Sequence, residues 1–134
     1  MQKLLLLSIF LSLNAMANEV PSELRRNLKP YATKSIDLKN EVLRVTMDRP
    51  MVTPEIYRTI VVGAVCGSLW TGKGGWGAAK IERAEVLNNI GAQGFAMTDL
   101  KRTCDAIGTA KGDEYKPLLE RNTVTCVVGE CRKR

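Results

Sequence analysis

The sequence predicts a small single α+β domain. An N-terminal helical half packs on a short antiparallel sheet of about three strands, stapled by two disulfides. Three observations point there. Helix-start signals and apolar runs dominate up to about residue 70. Threonine-valine alternation and turn dipeptides dominate the second half. Four cysteines follow an export-like N-terminus.

The elements follow in order. Ser22 is placed to cap a short helix through Glu23, Leu24 and Leu28, which Pro30 ends. Residues 36–48 read in two ways. Leu38, Val42 and Val45 fit a helical period, while Leu43, Val45 and Met47 alternate with polar residues as in a strand. The helical reading is preferred here. Thr53-Pro54-Glu55 is a firm helix start: a capping threonine, a proline at the first helical position, then an acid at the positive end of the helix dipole. This helix is expected to run to about Leu69, apolar all round from Ile60 and therefore buried. Gly63 and Gly67 lie four apart and read as packing positions.

Lys80 to Asn88 reads as a strand, Asn89-Ile90-Gly91 as a turn and Gln93 to Met97 as the returning strand. Thr98 or Asp99 caps a helix through Leu100, Cys104 and Ile107, stopped by Gly108. Tyr115 to Glu120 gives a helical turn despite Pro117, and Thr123 to Val128 a last strand.

Residues 1–17 read as a cleaved secretory signal peptide. Lys3 supplies the positive start, Leu4 to Leu13 the apolar run, and Ala15-Met16-Ala17 the small-residue cleavage site. The run is shorter than the ~20 residues that span a bilayer. Residues 18–134 then form one domain, without a transmembrane segment, placed in the periplasm or secreted. In that compartment Cys66, Cys104, Cys126 and Cys131 read as disulfides, with Cys66–Cys104 and Cys126–Cys131 the most local pairing. A four-thiolate zinc site is disfavoured, because no C-x-x-C knuckle is present.

The chain holds no histidine. Ser-His-Asp triads, Cys-His dyads and histidine-ligated zinc are thereby excluded. No catalytic residue, metal or cofactor is assigned. A two-carboxylate hydrolase needs two acids brought together in space. Glu82 and Glu85 are the nearest approach in sequence, and they read as solvated charges on a sheet. Ser68 and Lys73 are close in sequence, but no pattern around them marks a nucleophile. Gly67 to Gly74 matches the start of a phosphate-binding loop. Gly74 occupies the place of the magnesium-binding hydroxyl, and the loop follows a helix instead of a strand.

The most unusual stretch is Trp70 to Gly77, which carries both tryptophans, four glycines and a lysine. Trp70, Gly72, Lys73, Gly74, Gly75, Trp76 and Gly77 form a candidate partner-binding loop, since tryptophan anchors interfaces and glycine admits a close approach. The rival reading makes the tryptophans lids on the core. On the binding reading, Trp70 is the more buried and Trp76 the more exposed.

Without Lys3, 19 Lys and Arg face 14 Asp and Glu. A net charge near +5 favours an acidic partner surface. The cations are scattered apart from Arg25-Arg26 and Arg132-Lys133-Arg134, and no nucleic-acid module accompanies them. These features lead to an exported, disulfide-bonded, non-enzymatic protein that binds another macromolecule in the cell envelope, as an inhibitor, immunity protein or accessory subunit. The alternatives are a small carboxylate-dependent cell-wall hydrolase, and a binder of anionic polymers or membrane surfaces that works through the basic tail.

Overall fold

Residues 33–47 form a β-hairpin, which corrects the helical reading of 36–48. Strand β1 (Thr33–Lys39) pairs antiparallel with β2 (Val42–Met47). The turn between them is Asn40-Glu41, with φ of 51° and 64°. Two successive positive φ values make the two-residue turn whose twist matches a hairpin. The apparent helical spacing of Leu38, Val42 and Val45 spans this reversal.

The structure, a computed structural model, describes residues 19–71 and 75–132. The expected leader (1–17) lies outside the described residues. So do Gly72, Lys73 and Gly74 of the candidate loop and the tail residues Lys133 and Arg134.

Among the described residues the sheet has six strands in the order β1-β2-β3-β4-β5-β6. The others are β3 (Arg83–Leu87), β4 (Gly94–Met97), β5 (Thr123–Val127) and β6 (Glu130–Arg132). All neighbours are antiparallel except β2 and β3, which run parallel. The expected three-strand antiparallel sheet is therefore a larger, mixed one. Parallel neighbours need a crossover connection, and the long central helix supplies it.

Four helices accompany the sheet among the described residues. Helix α1 (Ser22–Leu28) starts one residue earlier than read from sequence, since Pro21 occupies the cap position and Ser22 is already helical. Helix α2 spans 54–70. Thr53 accepts a hydrogen bond from the Ile56 amide at 3.2 Å, as its sequence signal implied. Its middle, Thr59–Cys66, is π-helical. The wider i→i+5 turn lets Ile60, Val61, Ala64, Val65 and Cys66 all be buried. Helix α3 (Leu100–Thr109) runs through Gly108 instead of stopping there. Helix α4 (Tyr115–Arg121) accommodates Pro117 within its first turn.

The two sheet faces differ. Leu43, Val45, Ala84, Val86 and Met97 join apolar residues from all four helices in the main core. Leu87, Ala96, Val124 and Cys126 form a second cluster to which strands alone contribute, with Cys131 packed against it. Gly94 lets β4 lie close on β3, since a Cβ there would fall 1.9 Å from the Val86 carbonyl oxygen. Both expected disulfides are present, and all four cysteines are paired. Cys66–Cys104 ties the π-helical turn to α3, and Cys126–Cys131 crosses the β5–β6 hairpin. Closing 38- and 5-residue separations, the two bonds contribute about 4 and about 2 kcal/mol by the chain-entropy model.

Candidate functional site

The two tryptophans of the candidate loop separate. Trp76 is 5% exposed and donates its indole N–H to the Val65 carbonyl at 3.0 Å. Trp70 is 42% exposed, donates to the Cys104 carbonyl at 3.0 Å, and lies against Gly108. The order of exposure is the reverse of that read from sequence. A carbonyl in the widened turn of α2 offers Trp76 an acceptor, so its ring closes the core while its polar atom stays satisfied. Gly75 and Gly77 take φ of 47° and 62°, conformations that disfavour other residues, and bring the chain back across α2. Trp70 remains at the surface beside a groove of about 370 Å³ that includes Arg58 and Tyr115.

The other sequence candidates are structural. Ser68 is fully buried; its hydroxyl donates to the Ala64 carbonyl at 2.7 Å and accepts from Asn27 at 2.8 Å. Glu82 is exposed and shares Lys80 with Glu41. These two carboxylates hold the Lys80 ammonium above its usual pKa, Glu41 exerting the larger pull. Glu85, read as solvated, is 1% exposed instead. It is enclosed by Arg44 at 3.1 Å and Arg83 at 2.9 Å. Each guanidinium remains partly exposed, so the trio places two cations around one carboxylate in mid-sheet. Among the described residues, no group of three or more cysteines and carboxylates is placed to hold a metal ion. No described helix is long and apolar enough to cross a membrane.

The candidate site of most distinct physical character lies elsewhere, at one end of the sheet. Among the described residues the exposed large apolar side chains are Met51, Trp70, Ile90, Val127 and Val128. Met51, Ile90 and Val128 sit on three neighbouring connections, the loop after β2, the β3–β4 turn and the β5–β6 turn, and Val127 ends β5 beside the last of them. Hydrogen bonds weld these connections together. Buried Asn88 donates to the Pro50 carbonyl at 3.1 Å and accepts from the amides of Ala92 and Gln93. Gln93 clamps both backbone groups of Val52 at 2.8 Å. The Asn89 amide donates to the Arg49 carbonyl at 2.8 Å, and the Gly129 amide to the Ala92 carbonyl at 2.9 Å.

The apolar side chains therefore stand on a stiff platform. Ile90 is 78% exposed and Val128 is 84% exposed. Val128 also has φ of 52°, a left-handed conformation that is a marked outlier for a β-branched residue. With Gly129 at φ of 76° it fills a two-residue hairpin turn between the paired Val127 and Glu130. Asparagine, aspartate or glycine is the ordinary occupant of that position. A strained, exposed valine is a local conflict of the kind that collects at binding surfaces. The surrounding charges are mixed but include Lys34, whose ammonium donates to the Asn89 carbonyl at 3.0 Å, and exposed Arg49 and Arg132.

Sequence reading missed this patch. Its signals were an isoleucine inside a turn sequence, Asn89-Ile90-Gly91, and a valine beside Gly129 where a polar turn residue is the norm. Comparison with family models, characterised proteins and solved structures gives no match to this chain.

Proposed function

We propose that this is a small exported, disulfide-bonded, non-enzymatic protein that docks on another macromolecule of the cell envelope, in the manner of an inhibitor, immunity protein or accessory subunit. The sheet end of Met51, Ile90, Val127 and Val128 is its docking surface. One observation carries this reading: Val128 is both strained and almost fully exposed on a hydrogen-bonded, disulfide-closed hairpin. Rigid presentation lowers the ordering cost of binding. Clustered exposed apolar residues mark interaction sites on soluble proteins. The partner surface is apolar at its centre, with acidic groups facing Lys34, Arg49 and Arg132. Two disulfides support export, since such bonds persist in oxidising compartments.

Site-specific photo-crosslinking in the native host tests the reading. A benzophenone amino acid is placed at Ile90, at Val128, or at exposed Asp113 on the connection between α3 and α4 as a control. One heterologous adduct from the first two positions and none from Asp113 is the expected result. Adducts equal at all three positions, no adduct, or an adduct only with a second copy of the chain would overturn it.

A further inference from the structure

We infer that the free edge of β1 is a second, independent site, which takes an extended acidic peptide as an added strand. Among the described residues β1 stands at the end of the strand order and is hydrogen-bonded on one side only, to β2. From Ser35 to Lys39 its pairing with β2 is regular, the one register shift lying at Thr33–Ser35. The opposite edge therefore presents a regular row of outward peptide groups, the template that strand addition uses.

A groove of about 650 Å³ follows this edge and is lined by the consecutive residues Ile36, Asp37, Leu38, Lys39 and Asn40. The groove's side chains carry the chemistry. Val20 and Ile36 supply apolar contact, and Arg25, Lys39, Arg44 and Arg83 supply positive charge. Glu85 holds Arg44 and Arg83 in place while neutralising only one of them. Together the four cations outnumber Glu19, Asp37 and Glu85, so the groove favours an anionic occupant.

Exposed edges are ordinarily blunted by lysines aimed along the strand. Here Lys34 is tied back to the Asn89 carbonyl at 3.0 Å, which leaves Lys39 at the end of the strand and no lysine in its middle. A peptide strand alternating acidic and β-branched residues satisfies the row of backbone groups. It sets its carboxylates toward Arg25 and Lys39, with Arg44 one strand and Arg83 two strands further into the sheet, and its apolar side chains against Ile36.

The probe is a capped hexapeptide of alternating glutamate and valine, titrated into nitrogen-15-labelled, disulfide-bonded protein. A capped lysine-valine hexapeptide is the control. The expected result is saturable shifts confined to 33–47 and to the groove residues Val20, Arg25 and Arg83 with the acidic peptide, none with the basic one, and slowed exchange of alternate β1 amides. Arg25→Glu with Lys39→Glu, both at exposed positions, should weaken binding about tenfold while preserving the spectrum elsewhere. Four outcomes would overturn the inference: no saturation by millimolar acidic peptide, equal response to both peptides, an unchanged affinity in the double variant, or β1 shifts that track protein concentration alone and so report a second copy at the edge. Because Ile90 and Val128 lie outside the groove, Ile90→Asp with Val128→Asp leaves this titration unchanged. The two sites thus fail separately.

Discussion

Replacing Val128 with asparagine should make the protein more stable. Val128 has φ of 52° and is 84% exposed. An L residue held in the left-handed region costs roughly 1–2 kcal/mol, and asparagine is one of the few that relieves this locally. Little burial is lost, because the valine side chain already faces water. The net gain is about 1 kcal/mol, a rise in Tm of about 4 °C for a chain of this size. Far-UV circular dichroism melts of V128N against wild type measure it directly. Val127→Asn is the internal control: Val127 lies in β5 without a positive φ, so loss of a β-branched residue there should lower stability by a few tenths of a kcal/mol. An unchanged or lower Tm for V128N would refute the claim that this tip stores strain. On the proposed function, the same variant binds its partner more weakly.

Other perturbations follow from the same geometry. Trp76→Ala removes a buried ring and its hydrogen bond to the Val65 carbonyl, and should cost about 3–5 kcal/mol in urea unfolding. Gly108→Ala places a Cβ 2.7 Å from the Trp70 indole nitrogen. The ring must leave the Cys104 carbonyl at about 1 kcal/mol, while alanine in the helix returns roughly as much. Stability should therefore hardly change while Trp70 fluorescence shifts to the red. Tyr57 is buried against Thr123, and burial raises its pKa above the ordinary 10.0. Its folded form resists ionisation that the unfolded chain accepts, so stability is full below pH 10 and falls progressively above it. Tyr57→Phe should flatten that alkaline limb in melts between pH 9 and pH 11, a window set around the tyrosine reference value.

Local signals were legible where side chain and backbone agree. Thr53-Pro54 announced the start of α2, Gly129 the turn closed by Cys126–Cys131, and Asn89-Ile90-Gly91 the turn between β3 and β4. The cysteine pairing followed from proximity in the chain. What escaped was set by partners far away. The β1–β2 hairpin depends on left-handed Asn40 and Glu41, and glutamate is not a residue that advertises such a turn. The parallel pairing of β2 with β3 needs the whole α2 crossover and has no short-range signature. Burial of Glu85 arises from Arg44 across the strand pair, 41 positions earlier. Trp70 and Trp76 exchanged roles because each indole follows a carbonyl, on Cys104 and Val65, that sequence does not locate.

The most direct test of the docking claim sets the sheet end against the tryptophan surface. Lysine-reactive crosslinking in the native host compares wild type, Ile90→Asp with Val128→Asp, and Trp70→Ala. The account predicts that the paired aspartates abolish the heterologous adduct with Tm within a few degrees of wild type, while Trp70→Ala retains it. Loss of the adduct in Trp70→Ala with full retention in the aspartate pair would contradict it and move the docking surface to α2 and α3.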